Sequence, residues 1–191
     1  LAMGGTSPDA MEAHCTNWRR YEELAGETGH SADRSKWRIV TFAPVAETRE
    51  QAEKDMEYGL NAFRDYCSEV ATFPIIPPDI EDPINYLREK QIACIGTPDD
   101  CIEHFERIWS GSQGGCGAIL LLAHNWANWE ATKKSYELMA RYVHPHFQRG
   151  SLTWRKRAYA DAAEKYATAG AASKAAVEAA IEKHGARKTG L

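Results

Sequence analysis

Hydrophobic and polar positions follow two different periods along the first 148 residues, and together they predict an α/β fold. Apolar side chains recur at helical spacing from Met11 to Ala25 and again from Ala52 to Cys67. The runs Trp37 to Val45 and Ala118 to Leu122 are mostly apolar and short enough to be strands. The second run does not alternate with polar residues, which is typical of a strand buried on both faces of a parallel sheet.

Local signals define the helices on either side of the second strand. Thr97 is a helix N-cap residue and Pro98 suits the first helical position, so a helix is predicted from there to Gly111. Its predicted apolar face includes Trp109. A further helix, with Tyr136 among its apolar positions, should end at Pro145. Upstream, the helix that opens at Glu47 is predicted to run unbroken to Cys67, whereas His14 and Trp18 are expected in the core.

The loop His124 to Trp129 is the best placed candidate for chemistry. It directly follows the second apolar strand, and in α/β folds ligands bind where strands release their carboxyl ends. A histidine, two asparagines and two tryptophans interrupt the apolar run there. The alternative is structural: His124 caps the strand and the tryptophans pack at the start of a helix.

Several segments of the chain together resemble the end of a flavin-dependent monooxygenase of the bacterial luciferase-like family. They are Ile95 to Asp100 (IGTPDD), Gly117 to Ala127 (GAILLLAHNWA), Ser135 to Gln148 (SYELMARYVHPHFQ), and, upstream, Trp37 to Val40 with Val45 to Thr48. The resemblance implies a (β/α)8 TIM barrel that holds reduced FMN and activates O2. Residues 1–148 would be the carboxyl-terminal portion of that barrel, its last strands and helices, and residues 149–191 would be a helical extension.

The resemblance also assigns roles to residues. His124 is expected to be catalytic, as a hydrogen-bond donor to the flavin or to the peroxy oxygen. The expected cofactor-binding residues are Met3, Gly4, Asn125 and Trp126. Because the family draws most of its flavin phosphate contacts from earlier strands, residues 1–191 alone should bind flavin weakly or not at all and should be inactive.

Residues 70–91 form a long connection that is rich in proline and partly apolar. Four of the eight prolines of the chain lie in it, namely Pro74, Pro77, Pro78 and Pro83. Such connections in compact α/β units are usually functional or disordered. The resemblance implies a lid that keeps water away from the flavin. The alternative is a static insertion that packs on the flank of the barrel.

The resemblance implies insertion of one oxygen atom from O2 into an apolar small-molecule substrate. It further implies a flavin reductase that supplies the reduced FMN, and a homo-oligomer is expected. Two alternatives stay open. The chain could be a non-catalytic piece that acts through association at an open sheet edge, or part of a deazaflavin-dependent (F420) oxidoreductase of the same superfamily.

Composition and residue spacing limit which partners, cellular compartment and metals are expected. The net charge of −4 gives no reason to expect nucleic acid as a partner. No apolar run approaches the ~20 residues that span a bilayer, so no membrane partner is expected. The five cysteines have no paired spacing, which indicates a reduced, cytoplasmic protein. His144 and His146 lie two residues apart, a spacing that does not place both on one helical face, so no metal is expected.

The composition changes after Gln148. A break is predicted at residues 149–151, followed by a basic cluster at residues 154–157. The segment from Ala158 to His184 is rich in alanine, lysine and glutamate, which strongly favours helix. Gly170 should bend or split that helix, and residues 186–191 should fray.

Overall fold

The computed structural model of the chain describes residues 1–71, 74–148 and 151–188. The chain divides into two compact units, Leu1–His146 and Phe147–Leu191. Residues 149 and 150 of the predicted break, the side chains of the basic cluster at residues 154–157, and residues 189–191 of the segment predicted to fray lie outside what is described.

Three parallel strands form the sheet of the first unit, in the order β1-β2-β3. They are β1 (Ala2–Gly4), β2 (Arg38–Thr41) and β3 (Ala118–Leu121). Gly4 pairs with Val40, and Val40 pairs with Leu120, so the carboxyl ends of all three strands lie level. Beyond β2, single bridges join Phe42 to Ala93 and Val45 to Gly96. The fold is thus mixed α/β with a parallel sheet, and β2 is shorter than its apolar run predicts.

Helices make up most of the chain, and most of them begin at a recognisable cap. Thr97 accepts from the Asp100 N–H while the Asp100 side chain accepts from the Thr97 N–H, which is a complete capping box. The helices are α1 (Pro8–Glu27), α2 (Arg49–Met56), α3 (Leu60–Glu69), α4 (Pro83–Glu89), α5 (Pro98–Gly111), α6 (Trp129–Leu138), α7 (His144–Gln148) and α8 (Ser151–Lys188), with a 3-10 turn at Arg34–Lys36 and a π-helical turn at Met139–Val143.

Two apolar clusters hold the first unit together. The first packs α1, α5 and the π-helical turn against one face of the sheet. Trp18 stacks on Trp37 there with ring centroids 4.8 Å apart, and the predicted burial of His14 and Trp18 is confirmed. The second cluster lies beyond the end of β2. Its members come from Phe42, α2, α3, α4 and the loop after β3.

The opposite face of the sheet is partly exposed. Side chains alternate between the two faces of a strand, and Met3, Ile39 and Ile119 belong to the face that packs on the helices. The other face, which we call the open face, therefore carries Gly4, Val40 and Leu120 at its centre. Leu120 and the following Leu122 are 41% and 47% exposed. The prediction that this strand is buried on both faces is wrong for the chain by itself, because β3 is an edge strand with one partly exposed face.

Tertiary context overrides several helix predictions. The long helix predicted from Glu47 to Cys67 is two helices, interrupted at Gly59. Pro145 does not end its helix, because the π-helical turn before it uses a wider hydrogen-bond spacing: the His144 N–H bonds to the Met139 carbonyl. Trp109 and Tyr136, predicted on apolar faces, are 54% and 50% exposed.

The described part of the proline-rich connection, residues 74–91, packs onto the second apolar cluster. Ile76 and Leu87 are fully buried there, and Leu87 lies on α4. Asp82 caps α4 by accepting from the Asn85 N–H. The connection thus shares a cluster with Phe42 and Trp126, whichever of its two predicted roles it has.

The second unit consists largely of α8. The alanine-rich segment is helical, as its composition predicts. The helix runs through Gly170 without interruption, so the predicted split there is wrong, and the predicted bend stays a prediction. A Cβ added at Gly170 would meet nothing within 4 Å, and the strong helix formers on either side outweigh the cost of one glycine, about 1 kcal/mol.

Candidate functional site

The candidate site lies at the carboxyl edge of the sheet, where the three strands end level. Gly5 continues β1 and its N–H donates to the Val40 carbonyl, while the Leu122 N–H donates to the Thr41 carbonyl. The loop from Ala123 to Asn128 then leads into α6, which Asn128 caps by accepting from the Ala131 N–H. Sequence reasoning located this loop from the position of the strand alone.

His124 is held in one tautomer by the loop that carries it. The Trp126 backbone N–H donates to His124 Nδ1 over 3.2 Å. A ring nitrogen that accepts a hydrogen bond carries no proton, so the proton of the neutral ring lies on Nε2. His124 therefore offers Nε2–H as a hydrogen-bond donor.

The imidazole of His124 is partly buried and lies against aromatic rings. Its ring centroid is 4.4 Å from that of Trp126 and 6.0 Å from that of Phe42. Burial lowers the pKa of His124 to about 4 because removal from water disfavours the charged ring. At neutral pH the side chain is a neutral donor and not a cation.

His124 lies beside what we call the aromatic cluster: Phe42, Phe63 and Trp126. Phe42 and Trp126 stack with centroids 4.6 Å apart, and Phe63 meets Trp126 edge-on at 5.2 Å. Trp126 is fully buried, and its indole nitrogen has no hydrogen-bond partner among the described residues. Its ring thus packs against the His124 imidazole from the buried side and is not itself exposed.

The other predicted site residues differ in how they are placed. Asn125 is exposed in the same loop as His124. Gly4 lies on the open face, and a Cβ there would meet nothing within 4 Å. The Met3 side chain packs on the opposite, helix-covered face. Asn125 and Gly4 are thus each exposed, whereas Met3 and Trp126 are packed against other residues.

A buried polar network lies at the same edge of the sheet, and sequence reasoning missed it. His104 on α5 is buried, and its Nε2 is 2.9 Å from Thr41 Oγ1. Thr41 Oγ1 is 3.2 Å from Thr6 Oγ1, and Thr6 Oγ1 donates to the Gln91 carbonyl over 2.9 Å. The Arg107 guanidinium is 3.0 Å from His104 Nδ1 and also donates to the Thr6 and Gln91 carbonyls.

The direction of every hydrogen bond in this network follows from the presence of the Arg107 guanidinium. A guanidinium can only donate, so His104 Nδ1 must accept from Arg107 and the ring proton must lie on Nε2. His104 then donates to Thr41, Thr41 donates to Thr6, and Thr6 donates to the Gln91 carbonyl. Burial, with a smaller effect of the nearby Arg107 charge, lowers the pKa of His104 to about 3. The i,i+3 spacing of the histidine and the arginine on one helix was the available sequence signal.

An open cleft of about 370 Å³ borders this network, because His104 and Arg107 also line the cleft. Arg49, Arg88 and Arg107 line it together with Asp100 and Glu103. Arg49 binds the Asp100 carboxylate with two nitrogens, and this contact holds the pKa of Asp100 well below its usual range. Arg88 pairs with Glu53 and donates to the Ile95 carbonyl over 2.7 Å. Positive and negative groups balance here, which suits a structural role.

The residues around His124 fit the ring system of a flavin better than its phosphate. A neutral Nε2–H donor above stacked aromatic rings suits a planar, polar-edged ring that must be kept from water. Burial lowers the pKa of His124, which indicates that the surroundings of the imidazole are mainly apolar. Within the described residues no three histidine, cysteine or acidic side chains come together as a metal site. Among these residues we also find no helix that is long and apolar enough to cross a bilayer.

Two solved structures share part of this architecture. The oxygenating constituent of 3,6-diketocamphane monooxygenase of Pseudomonas putida, a type II Baeyer-Villiger monooxygenase in complex with FMN, matches 75% of the chain and 42% of its own length with a TM-score of 0.53 and 22% identity. A monooxygenase from Streptomyces bottropensis matches 72% of the chain and 39% of its own with a TM-score of 0.54 and 18% identity. The chain thus shares part of its fold with monooxygenases.

Curated relatives agree with that class. Limonene 1,2-monooxygenase of Rhodococcus erythropolis is 35% identical over 159 residues, which are 83% of the chain and 41% of the relative. The 4-hydroxyprotoasukamycin monooxygenase of Streptomyces nodosus subsp. asukaensis is 32% identical over 163 residues, 84% of the chain and 43% of the relative. No family model matches. The relatives are therefore monooxygenases, and the chain spans about two fifths of their length.

Proposed function

We propose that this chain is the carboxyl-terminal part of a luciferase-like flavin-dependent monooxygenase. The reaction would insert one oxygen atom of O2 into an apolar small molecule. The monooxygenase relatives support the reaction class. The FMN-bound structural neighbour supports FMN as the cofactor.

The structural part of this proposal rests on the open face of the sheet. Parallel sheets in proteins are covered on both faces, yet Leu120 in β3 and Leu122 just after it are exposed, on the side of the sheet that also carries Gly4. In a closed (β/α)8 barrel this face points inward and is buried by the side chains of the other strands. Further strands from the same protein would therefore cover the open face and pair with the free edges of β1 and β3.

We propose that His124 binds the flavin ring through Nε2–H. The bond from the Trp126 N–H to Nδ1 presents Nε2 outward, and the lowered pKa keeps the ring neutral during turnover. Asn125 and the Gly4 backbone are proposed to contact the flavin from either side, while Met3 and Trp126 support these contacts from below. FMN, when bound and reduced, supplies the chemistry that activates O2. The residues of this chain would orient the flavin and keep water away from it.

The connection at residues 74–91 is proposed as a lid. Ile76 and Leu87 pack in the same cluster as Phe42 and Trp126, so outward movement of this connection would uncover the rings behind His124. A flavin reductase as the source of reduced FMN, a homo-oligomeric assembly and a cytoplasmic location are further parts of the proposal. All five cysteines are free thiols, which is compatible with a reducing compartment.

The experiment that tests this function combines native mass spectrometry with turnover. The protein that carries this sequence is purified, and its mass and bound FMN are measured together. It is then supplied with reduced FMN from a flavin reductase, O2 and limonene, chosen because one relative is named for it. We expect bound FMN and an oxygenated limonene product.

Two histidine variants make the test specific. His124→Ala should lower product formation by about 100- to 1000-fold, as is found when one preorganised hydrogen-bond donor is removed from a reaction site. His30→Ala removes an exposed imidazole and should leave turnover unchanged. Equal turnover in both variants would remove His124 from the site. A colourless assembly without FMN or product would instead favour the alternative of a non-catalytic piece that acts by association.

A further inference from the structure

Gly59 lies far from His124 in the sequence but touches the loop that carries it. It separates α2 from α3, and its N–H donates to the Trp126 carbonyl over 2.9 Å. A Cβ added at Gly59 would lie 2.1 Å from the Asn125 carbonyl oxygen and 3.2 Å from its carbon. Its φ of −149° lies outside the left-handed region that favours glycine, and the close approach to the Asn125 carbonyl is what requires glycine here.

The peptide group that Gly59 touches is the same one that binds His124. The Asn125 carbonyl and the Trp126 N–H belong to one planar unit. Its oxygen abuts Gly59, and its hydrogen points to His124 Nδ1 over a donor–acceptor distance of 3.2 Å. A rigid plane cannot move at one end without moving at the other. Displacing the carbonyl therefore displaces the donor that selects the His124 tautomer.

The neighbouring contacts leave this peptide little freedom to relax. The Trp126 ring is fully buried between Phe42 and Phe63. The next peptide is bound through the Trp126 carbonyl to the Gly59 N–H. A side chain at position 59 would thus push on a plane whose far side is fixed by packing.

We infer that Gly59 is a positioning residue for His124, which it acts on through the peptide between Asn125 and Trp126. It controls which ring nitrogen of His124 carries the proton and where Nε2–H points. This inference rests on the proposed function only for its effect on turnover. The effect on the imidazole itself is independent of any reaction.

The first test reads the imidazole directly by nitrogen NMR of the purified protein. In the wild-type protein we expect a through-bond coupling between the Trp126 amide nitrogen and His124 Nδ1, with the proton on Nε2. Absence of that coupling would overturn the inference, whether or not any variant folds. Gly59→Ala should lose the coupling and show a mixture of the two tautomers.

A matched glycine variant controls for the substitution itself. Gly26→Ala places the same methyl group where nothing lies within 4 Å, and it should leave the His124 signals unchanged. Circular dichroism verifies that both variants are folded. Unchanged His124 signals in folded Gly59→Ala would refute the positioning role.

Turnover in the flavin-loaded protein then separates this inference from the proposed function. Misplacement of a catalytic donor by about 1 Å commonly costs up to about 100-fold in rate, so Gly59→Ala should lower kcat between about tenfold and that limit. A tautomer change without loss of turnover would support the role of Gly59 and count against that of His124. Loss of turnover in His124→Ala, with an unchanged His124 tautomer in Gly59→Ala, would support the role of His124 and count against that of Gly59.

Discussion

Acidification should destabilise this fold through His104. In the unfolded chain the imidazole titrates near 6.5, whereas in the folded chain burial lowers its pKa to about 3. Because the folded pKa lies below the unfolded one, the unfolded chain takes up the proton first as the pH falls. The contribution of His104 to the free energy of unfolding is therefore fully present above pH 6.5 and is lost progressively between about pH 6.5 and pH 3.

The size of the effect follows from the two pKa values. At pH 5 the unfolded imidazole is almost fully protonated and the folded one almost fully neutral, so the cost relative to pH 7 is about 2 kcal/mol. A domain of this kind is stable by roughly 5–15 kcal/mol. One buried histidine thus removes a substantial share of the stability under mild acid. His124 adds a smaller effect with the same sign, because its side chain is partly exposed to water.

The assay is guanidinium chloride unfolding at pH 7 and at pH 5, followed by circular dichroism. His104→Gln keeps one donor and one acceptor near Thr41 and Arg107 but cannot titrate. Its free energy of unfolding should be lower than that of the wild-type protein at pH 7 by about 1–3 kcal/mol, for imperfect hydrogen bonding. Its loss between pH 7 and pH 5 should be smaller by about 2 kcal/mol. His30→Gln, at an exposed position, should keep the wild-type pH dependence. Equal losses in wild type and His104→Gln would refute the reasoning.

Two further predictions concern the start of α5. Thr97→Ala removes the acceptor of the capping box and should cost about 1 kcal/mol in the free energy of unfolding. Guanidinium unfolding at pH 7 measures it, and a cost below a few tenths would contradict the cap. Hydrogen bonding to the Cys94 thiol, together with burial, raises the pKa of Cys101. Intact-mass analysis should therefore find Cys101 unmodified by iodoacetamide at pH 8 in the folded protein and modified once it is unfolded.

Features that depend on neighbouring residues in the sequence could be predicted. The cap at Thr97 and the burial of Trp18 follow from local residue types and helical spacing. The position of the His124 loop after the end of β3 could also be predicted, because the end of an apolar strand can be read directly from the sequence. These inferences need no knowledge of what packs across the fold.

Features that depend on distant contacts could not be predicted. The break at Gly59 reflects the close approach of the Asn125 carbonyl, 66 positions later in the numbering of the chain. His104 looks like a surface residue in its sequence context, and only the fold brings Thr41 and Thr6 to it. The burial of the Trp126 indole likewise depends on Phe42 and Phe63, which come from other elements.

The alternation of β3 restricts how this stretch can change during evolution. Ile119 and Leu121 face the helices, whereas Leu120 and, after it, Leu122 belong to the other side. Deleting one residue here would exchange the two sets of side chains and turn His124 away from its present side. Exchange of one aliphatic residue for another would leave both sides as they are. Selection on this stretch should therefore act more strongly on its length than on the identity of any one of its leucines.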